Sequence, residues 1–285
     1  MIGKKKKKEQ EPQYYTSATN IPTYNYRVYN MKLIEKILYF ILAFVVGAAV
    51  GYLFYGGIGK DEFNQPTRLT WILNIMIPSI VGVIAGELFI PVRTKALIEK
   101  QQKEISHQFR DMLDSLTTSL GSGKNINDSF INVYGDLKIQ YDSDAFILKE
   151  LEVIIAGIHN NVAIEDVLDD FGNRSNNEDI KSFANVFRIS YRKGGNIKDI
   201  IRNTQEILSD KMDIAEDIET LVASNKTEQN IMVVMPIILV GVIKLMSPEF
   251  AANFVTPAGL VSTTVGLITF IIAYFVGKQI LDIKI

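Results

Sequence analysis

The sequence predicts an all-α, polytopic membrane protein with four transmembrane helices and a cytoplasmic six-helix bundle that contains an αα-hairpin repeat. Three observations lead there. Apolar residues are pooled in two long stretches before residue 93 and two more after residue 230. Between them lies a charged block whose apolar residues recur at helical spacing, with no alternating, strand-like run. Inside that block a Gly-x-Asn-Ile-x-Asp element occurs twice, 71 residues apart. The expected organisation is a tail over 1–30, a transmembrane hairpin over 31–92, a helical domain over 93–230 and a second transmembrane hairpin over 231–285.

The N-terminal segment opens on Lys4 to Lys8 and continues as a polar, tyrosine-rich stretch with Pro12 and Pro22. It reads as a mobile, lysine-rich cytoplasmic tail. The apolar run starts too far downstream, and is too long, for a secretory signal. The glycine at position 3 is out of place for myristoylation. The lysines are read first as a solvated tail that helps set topology, with contact to anionic lipid, at roughly 1 kcal/mol each, as the lesser reading.

The four apolar stretches cover Ile37–Tyr55, Leu69–Val92, Ile231–Met246 and Ala258–Gly277. A helix needs roughly 20 apolar residues to cross the hydrocarbon core, so the third borrows a turn from the helix before it. Lys and Arg flank the first stretch on its N-terminal side, follow the second, and return after the fourth as Lys278 and Lys284. The segment Ser247–Pro257 has neither. By the positive-inside rule both termini and the central block are cytoplasmic. Asn74 and Glu87 lie inside the second stretch, where a carboxylate is a functional candidate by default. Glu87 stands near the cytoplasmic end, where hydration lowers its cost, and is read as structural. Pro78 and Pro236 are expected to kink their helices.

The central block opens with a stripe of Ile98, Ile105, Phe109, Met112, Leu113, Leu116 and Leu120. Helical patterns follow over Ile126–Leu137, Ala145–Ile158, Ile164–Phe171, Ile180–Tyr191 and Ile197–Leu221. The repeated element is Gly123 to Asp128 and Gly194 to Asp199, and Leu113, Leu116 and Leu120 align with Ala184, Phe187 and Tyr191. Ile164 to Asp166 echoes it without the glycine. Glycine ends one helix in the left-handed region, and Asn125 or Asn196 caps the next. Asp128 or Asp199 reaches back as in a capping box, and Ile126 or Ile197 plugs the joint. These residues form helix corners first, and any docking role comes second.

Several chemistries are excluded. Without cysteine there is no disulfide, thiolate nucleophile or Cys-ligated metal, and only His107 and His159 are present. Gly121 to Asn125 imitates a phosphate-binding loop but has Thr118 where the first glycine belongs and Asn125 where Ser or Thr would hold the metal. No motif for a nucleophile, zinc or calcium is present, and the carboxylate pairs Asp142/Asp144, Glu165/Asp166 and Asp169/Asp170 fit helix starts or polar faces. The expectation is a protein that is not an enzyme, with no cofactor and no nucleic-acid partner.

Two spans, a helical domain with the run Phe187-Arg188-x-x-Tyr191-Arg192-Lys193-Gly194-Gly195-Asn196-Ile197, and two more spans together resemble the GspF-type platform family of type II secretion systems and type IV pili. The short length and single helical domain are most similar to the TadB/TadC proteins of tight-adherence pili. The resemblance covers roughly residues 30–285; in the middle corner His159-Asn160-Asn161 stands where the family usually has glycine. It implies a non-catalytic platform in a prokaryotic plasma membrane. Such a platform couples a hexameric assembly ATPase to extraction of prepilins, beside a second platform chain or further copies of itself. The partner contacts expected on this reading are Arg188, Arg192, Lys193, Gly194, Gly195, Asn196 and Asp199, with an ordinary solvated basic face as the equal alternative, and the long helix Ile197–Leu221 is read from its geometry as a lever. The rival readings are a small transporter or channel subunit and a membrane signalling protein.

Overall fold

A computed structural model describes residues 11–17, 19, 21–60 and 65–281. Among the described residues the chain is helical throughout apart from one short two-stranded hairpin. Four helices are long and apolar enough to cross a membrane: Leu33–Tyr55 (α1), Arg68–Gly121 (α2), Ile197–Met246 (α7) and Pro257–Leu281 (α9). Between α2 and α7 lie α3 (Ile126–Gln140), α4 (Phe146–His159), α5 (Ile164–Ser175) and α6 (Glu178–Lys193), and α8 (Pro248–Asn253) precedes α9. The chain divides into two compact units: a helical unit of 1–30 with 94–213, and an apolar unit of 31–93 with 214–285.

Two sequence boundaries differ from this. No break separates a span from the helix beside it, since α2 and α7 are each continuous for 54 and 50 residues. Pro78, Pro91 and Pro236 all lie within these helices. The helical unit also ends near 213, not 230. The last α7 side chains on its core are Leu208, fully buried, and Met212, partly so, while Ile214 and Leu221 are exposed.

The larger correction concerns the tail. Residues 11–17, 19 and 21–30 are an integral part of the helical unit, not a mobile segment. Strands β1 (Tyr14–Thr16) and β2 (Pro22–Tyr24) pair antiparallel, with Tyr14 opposite Tyr24. Just beyond β2, Tyr26 has no exposed surface and joins the core with Phe109, Phe130, Phe171, Phe183 and Phe187. Tyr26 meets Phe146 and Phe171 edge-on, and Tyr24 packs against Phe146. The aromatic rings supply large apolar area, and burial of each is worth ~2 kcal/mol. The lysines at 4–8 and the contact proposed for them lie outside the described residues.

In the apolar unit α1 and α2 cross on small residues. A Cβ on Gly47 would fall 2.6 Å from that of Ala85, and one on Gly82 would fall 2.8 Å from the carbonyl of Phe44. The rings of Phe40 and Phe44 lie over Gly86 and Gly82. Such spacing lets backbones approach where no hydrophobic force drives helices together in lipid.

Polar groups in this unit close helix ends. Lys244 donates to the carbonyl of Leu53 at 2.6 Å, at the C-terminus of α1, and sits 4.7 Å from the Phe254 ring centre. Asn74 accepts from the backbone N–H of Gly57 at 2.8 Å. Glu87 is exposed on α2.

Candidate functional site

The residues around the α6–α7 corner separate into two groups. Arg188 and Arg192 stand one turn apart on α6 and face the acidic first turns of α5. Arg188 Nη2 lies 2.7 Å from Asp169 Oδ2 and 3.6 Å from Asp166 Oδ1. Arg192 Nε donates to Glu165 Oε1 at 3.2 Å, and its Nη2 is 3.7 Å from Asp166. These arginines therefore form an acid–base seam between α5 and α6, with Arg188 partly buried and the Arg192 side chain 60% exposed. Gly172 permits that seam, because a Cβ there would come within 3.1 Å of the Lys181 backbone. Arg188 Nε is buried and has no hydrogen-bond partner among the described residues.

The second group is exposed: Lys193, Gly194, Gly195, Asn196 and Asp199. Gly194 holds φ +72°, a conformation that favours glycine, and the N–H of Gly195 returns to the carbonyl of Ser190 at 2.7 Å. Asn196 Oδ1 accepts from the N–H of Asp199, and the Asn196 side-chain amide donates to the Asp199 carboxylate. The first corner has the same local chemistry. Gly123 takes φ +89°, Asn125 Oδ1 accepts from Asp128 N–H at 2.9 Å, and the Asn125 amide donates to Asp128 at 2.6 Å. In both corners the aspartate returns to the asparagine side chain, where a capping box would return to its backbone. Ile126 and Ile197 pack partly buried against the core. No hydrogen bond or ion pair among the described residues joins the 123–128 corner to the 194–199 corner.

The middle corner keeps its shape without glycine. Asn161 occupies the left-handed region at φ 55°, and the N–H groups of Asn161 and Val162 bond to the carbonyls of Ile158 and Gly157. That is a Schellman ending with asparagine, the residue other than glycine that tolerates this conformation best. Asn176 and Asn177 divide the same work at the next joint. Asn176 is left-handed at φ 53°, and Asn177 Oδ1 caps α6 through the N–H groups of Asp179 and Ile180.

A second constellation was not legible in the sequence. Glu150 and Arg174, 2% and 5% exposed, form a buried bidentate pair with contacts of 2.9 and 2.7 Å. Arg174 Nε also donates to Asp170 at 2.7 Å, and Nη1 donates to the carbonyl of Tyr24 at 2.8 Å. Tyr26 Oη donates to Glu150 Oε1 at 2.9 Å, and its backbone N–H bonds to the carbonyl of Arg174 at 3.2 Å. Burial alone would lower the Arg174 guanidinium, but the Glu150 and Asp170 carboxylates outweigh it and hold the group charged. This network clamps the N-terminal hairpin to α4 and α5. The available signal was Glu150, three residues after Ile147 and four before Ile154 on the apolar face of α4, a position that asks for a buried cation.

Burial, reinforced by the neighbouring Glu150, pushes the Tyr26 hydroxyl well above its ordinary value of 10.0. The folded state thus favours the neutral phenol. Its contribution is fully present below pH ~10 and is lost as pH rises toward the folded value, by about 1.4 kcal/mol per pH unit. Tyr26→Phe is expected to lose about 1.5–3 kcal/mol at neutral pH, the worth of a hydrogen bond to a charged acceptor. The gap between wild type and variant should narrow above pH ~10 in thermal unfolding. A gap that stays constant to pH 11 would contradict this account.

The arrangement combines an exposed helix corner at 193–199 with a buried ion-pair network around Arg174. It defines a class: an all-helical protein with four helices of membrane-spanning length and hydropathy. No family model, curated protein or solved structure matches the chain.

Proposed function

We propose that this chain is a platform protein of the GspF type, closest to the TadB/TadC proteins, in a prokaryotic plasma membrane. In this reading it is not an enzyme. It couples a cytoplasmic hexameric ATPase to the extraction and assembly of prepilins, beside a second platform chain or further copies of itself. The observation that carries the reading is the order of the elements: an apolar helix pair, a helical unit with its own core, and a second apolar pair. The distribution of Lys and Arg supports a cytoplasmic helical unit, containing the αα-hairpin repeat, with both termini on the same side.

The exposed corner from Lys193 to Asp199 is the proposed ATPase contact, with Gly123 to Asp128 as its structural counterpart. Arg188 and Arg192 take part by setting the position of α6, since both are engaged with α5. The uninterrupted α7 supports the lever reading.

The test is affinity capture of the tagged full-length chain from detergent-solubilised membranes of its native host. Wild type is expected to recover a hexameric secretion-type ATPase, and Lys193→Glu to reduce recovery about fivefold, the effect of one exposed charge contact. Equal recovery with both discards the corner as the contact. Absence of any such ATPase from the wild-type capture overturns the platform reading.

A further inference from the structure

Within the apolar unit, α7 and α9 line two cavities that share Tyr274, the second of them walled also by Val50 and Phe54 of α1. The first, about 290 Å3, is lined by Lys226, Gln229, Asn230, Tyr274 and Lys278, with Leu281 at its edge. The second, about 550 Å3, has walls that include Val233, Ile237, Val240, Leu267 and Phe270, with Thr263 at the far end. Gln229 Nε2 donates to the carbonyl of Tyr274 at 3.1 Å and ties the helices together at the junction. Gly277 makes room for it, because a Cβ there would lie 2.7 Å from Gln229 Nε2.

Position and charge agree. Lys226 precedes the third apolar stretch and Lys278 follows the fourth, so antiparallel spans bring both lysines to one membrane face. Neither lysine enters an ion pair among the described residues. The groove beside them runs along α9 from Tyr274 to Thr263, roughly 16 Å at 1.5 Å per residue. Both cavities are lined by Tyr274, so the two lysines adjoin the apolar walls, an arrangement that matches an anionic head group joined to a hydrocarbon chain.

We propose that the paired cavities form a binding site for one anionic phospholipid. Lys226 and Lys278 hold the phosphate, Asn230 and Gln229 supply hydrogen-bonding groups, and an acyl chain lies in the groove past Pro236. The proposal rests on the reading of α7 and α9 as membrane spans. Basic pockets between spans at the cytoplasmic face are suited to such head groups, because hydration is reduced there and the counter-charge is strong.

Native mass spectrometry of the full chain, released from detergent containing equal phosphatidylglycerol and phosphatidylcholine, tests it. Wild type is expected to retain one phosphatidylglycerol with at least about tenfold preference, each lysine contributing about fivefold. Lys226→Gln with Lys278→Gln should bring the two lipids to parity. Gly266→Leu should reduce retention of both, because nothing lies within 4 Å of a Cβ at Gly266 and the side chain would fill the groove. Millimolar inorganic phosphate should leave bound lipid in place. Parity in wild type, unchanged preference in the lysine variant, or displacement by phosphate alone would each overturn the site. Alkali-resistant membrane association of all variants reads insertion separately. ATPase capture by the lysine variant reads the platform function separately.

Discussion

Arg174→Met is expected to cost the helical unit about 3–5 kcal/mol, because it leaves the Glu150 carboxylate buried with only the Tyr26 hydroxyl beside it. In thermal unfolding followed by circular dichroism this corresponds to a fall in Tm on the order of 10 °C. Two further groups lose a partner at once, Asp170 and the carbonyl of Tyr24, and with the latter the hairpin loses its tie to α5. Trypsin should therefore cut after Arg27 in the variant much faster than in wild type, since the Arg27 guanidinium is held at 2.7 Å from the Asn173 carbonyl while the hairpin is docked. The double variant Glu150→Leu with Arg174→Met should recover more than half of the loss, because apolar groups of similar volume replace a buried ion pair at little cost. If Arg174→Met alone leaves Tm unchanged, the clamp is not what holds the hairpin.

The second large effect lies in the apolar unit. Gly82→Ala and Gly47→Ala should each destabilise the α1–α2 pair by about 1–3 kcal/mol, the range for overpacking a tight contact. At Gly82 the added Cβ would meet the Phe44 carbonyl at 2.8 Å, and at Gly47 it would meet the Ala85 Cβ at 2.6 Å. Neither neighbour moves without moving a helix. Gly86→Ala should cost less, because its close neighbours are ring atoms of Phe40, which can rotate. Thermal unfolding of the detergent-solubilised full chain gives the order. A result in which Gly86→Ala is the most damaging of the three would show that the backbone contacts do not set the crossing.

Both effects fall on residues whose importance is not visible in a one-dimensional reading. Gly47 and Gly51, and Gly82 and Gly86, stand four apart in apolar runs, a spacing that marks close helix contact. Which partner each glycine meets is decided only by the pairing of α1 with α2. Tyr26 sits among polar residues and prolines, a composition that reads as tail, and its burial depends on residues more than 120 positions away. Arg188 and Arg192 look like a free basic face in sequence, yet their charges are met by carboxylates of α5. Surface or seam is a property of the neighbour, and the neighbour is not written in the local pattern.

What the sequence determined by itself is local and periodic. Three apolar runs are long enough to span a membrane and a fourth does so with a turn borrowed from the helix before it, and the 3.6-residue stripes begin α3, α5 and α7 at Ile126, Ile164 and Ile197. Glycine or asparagine marks the left-handed corners. These follow from backbone sterics, side-chain hydrogen bonds and hydropathy within a few residues of each other. Tertiary structure alone decided where the N-terminal hairpin rests, which arginines are paired, and that two lysines from opposite ends of the apolar pair line one cavity. Each of those depends on contacts between residues far apart in the chain, whose free energy exists only once the intervening helices have packed.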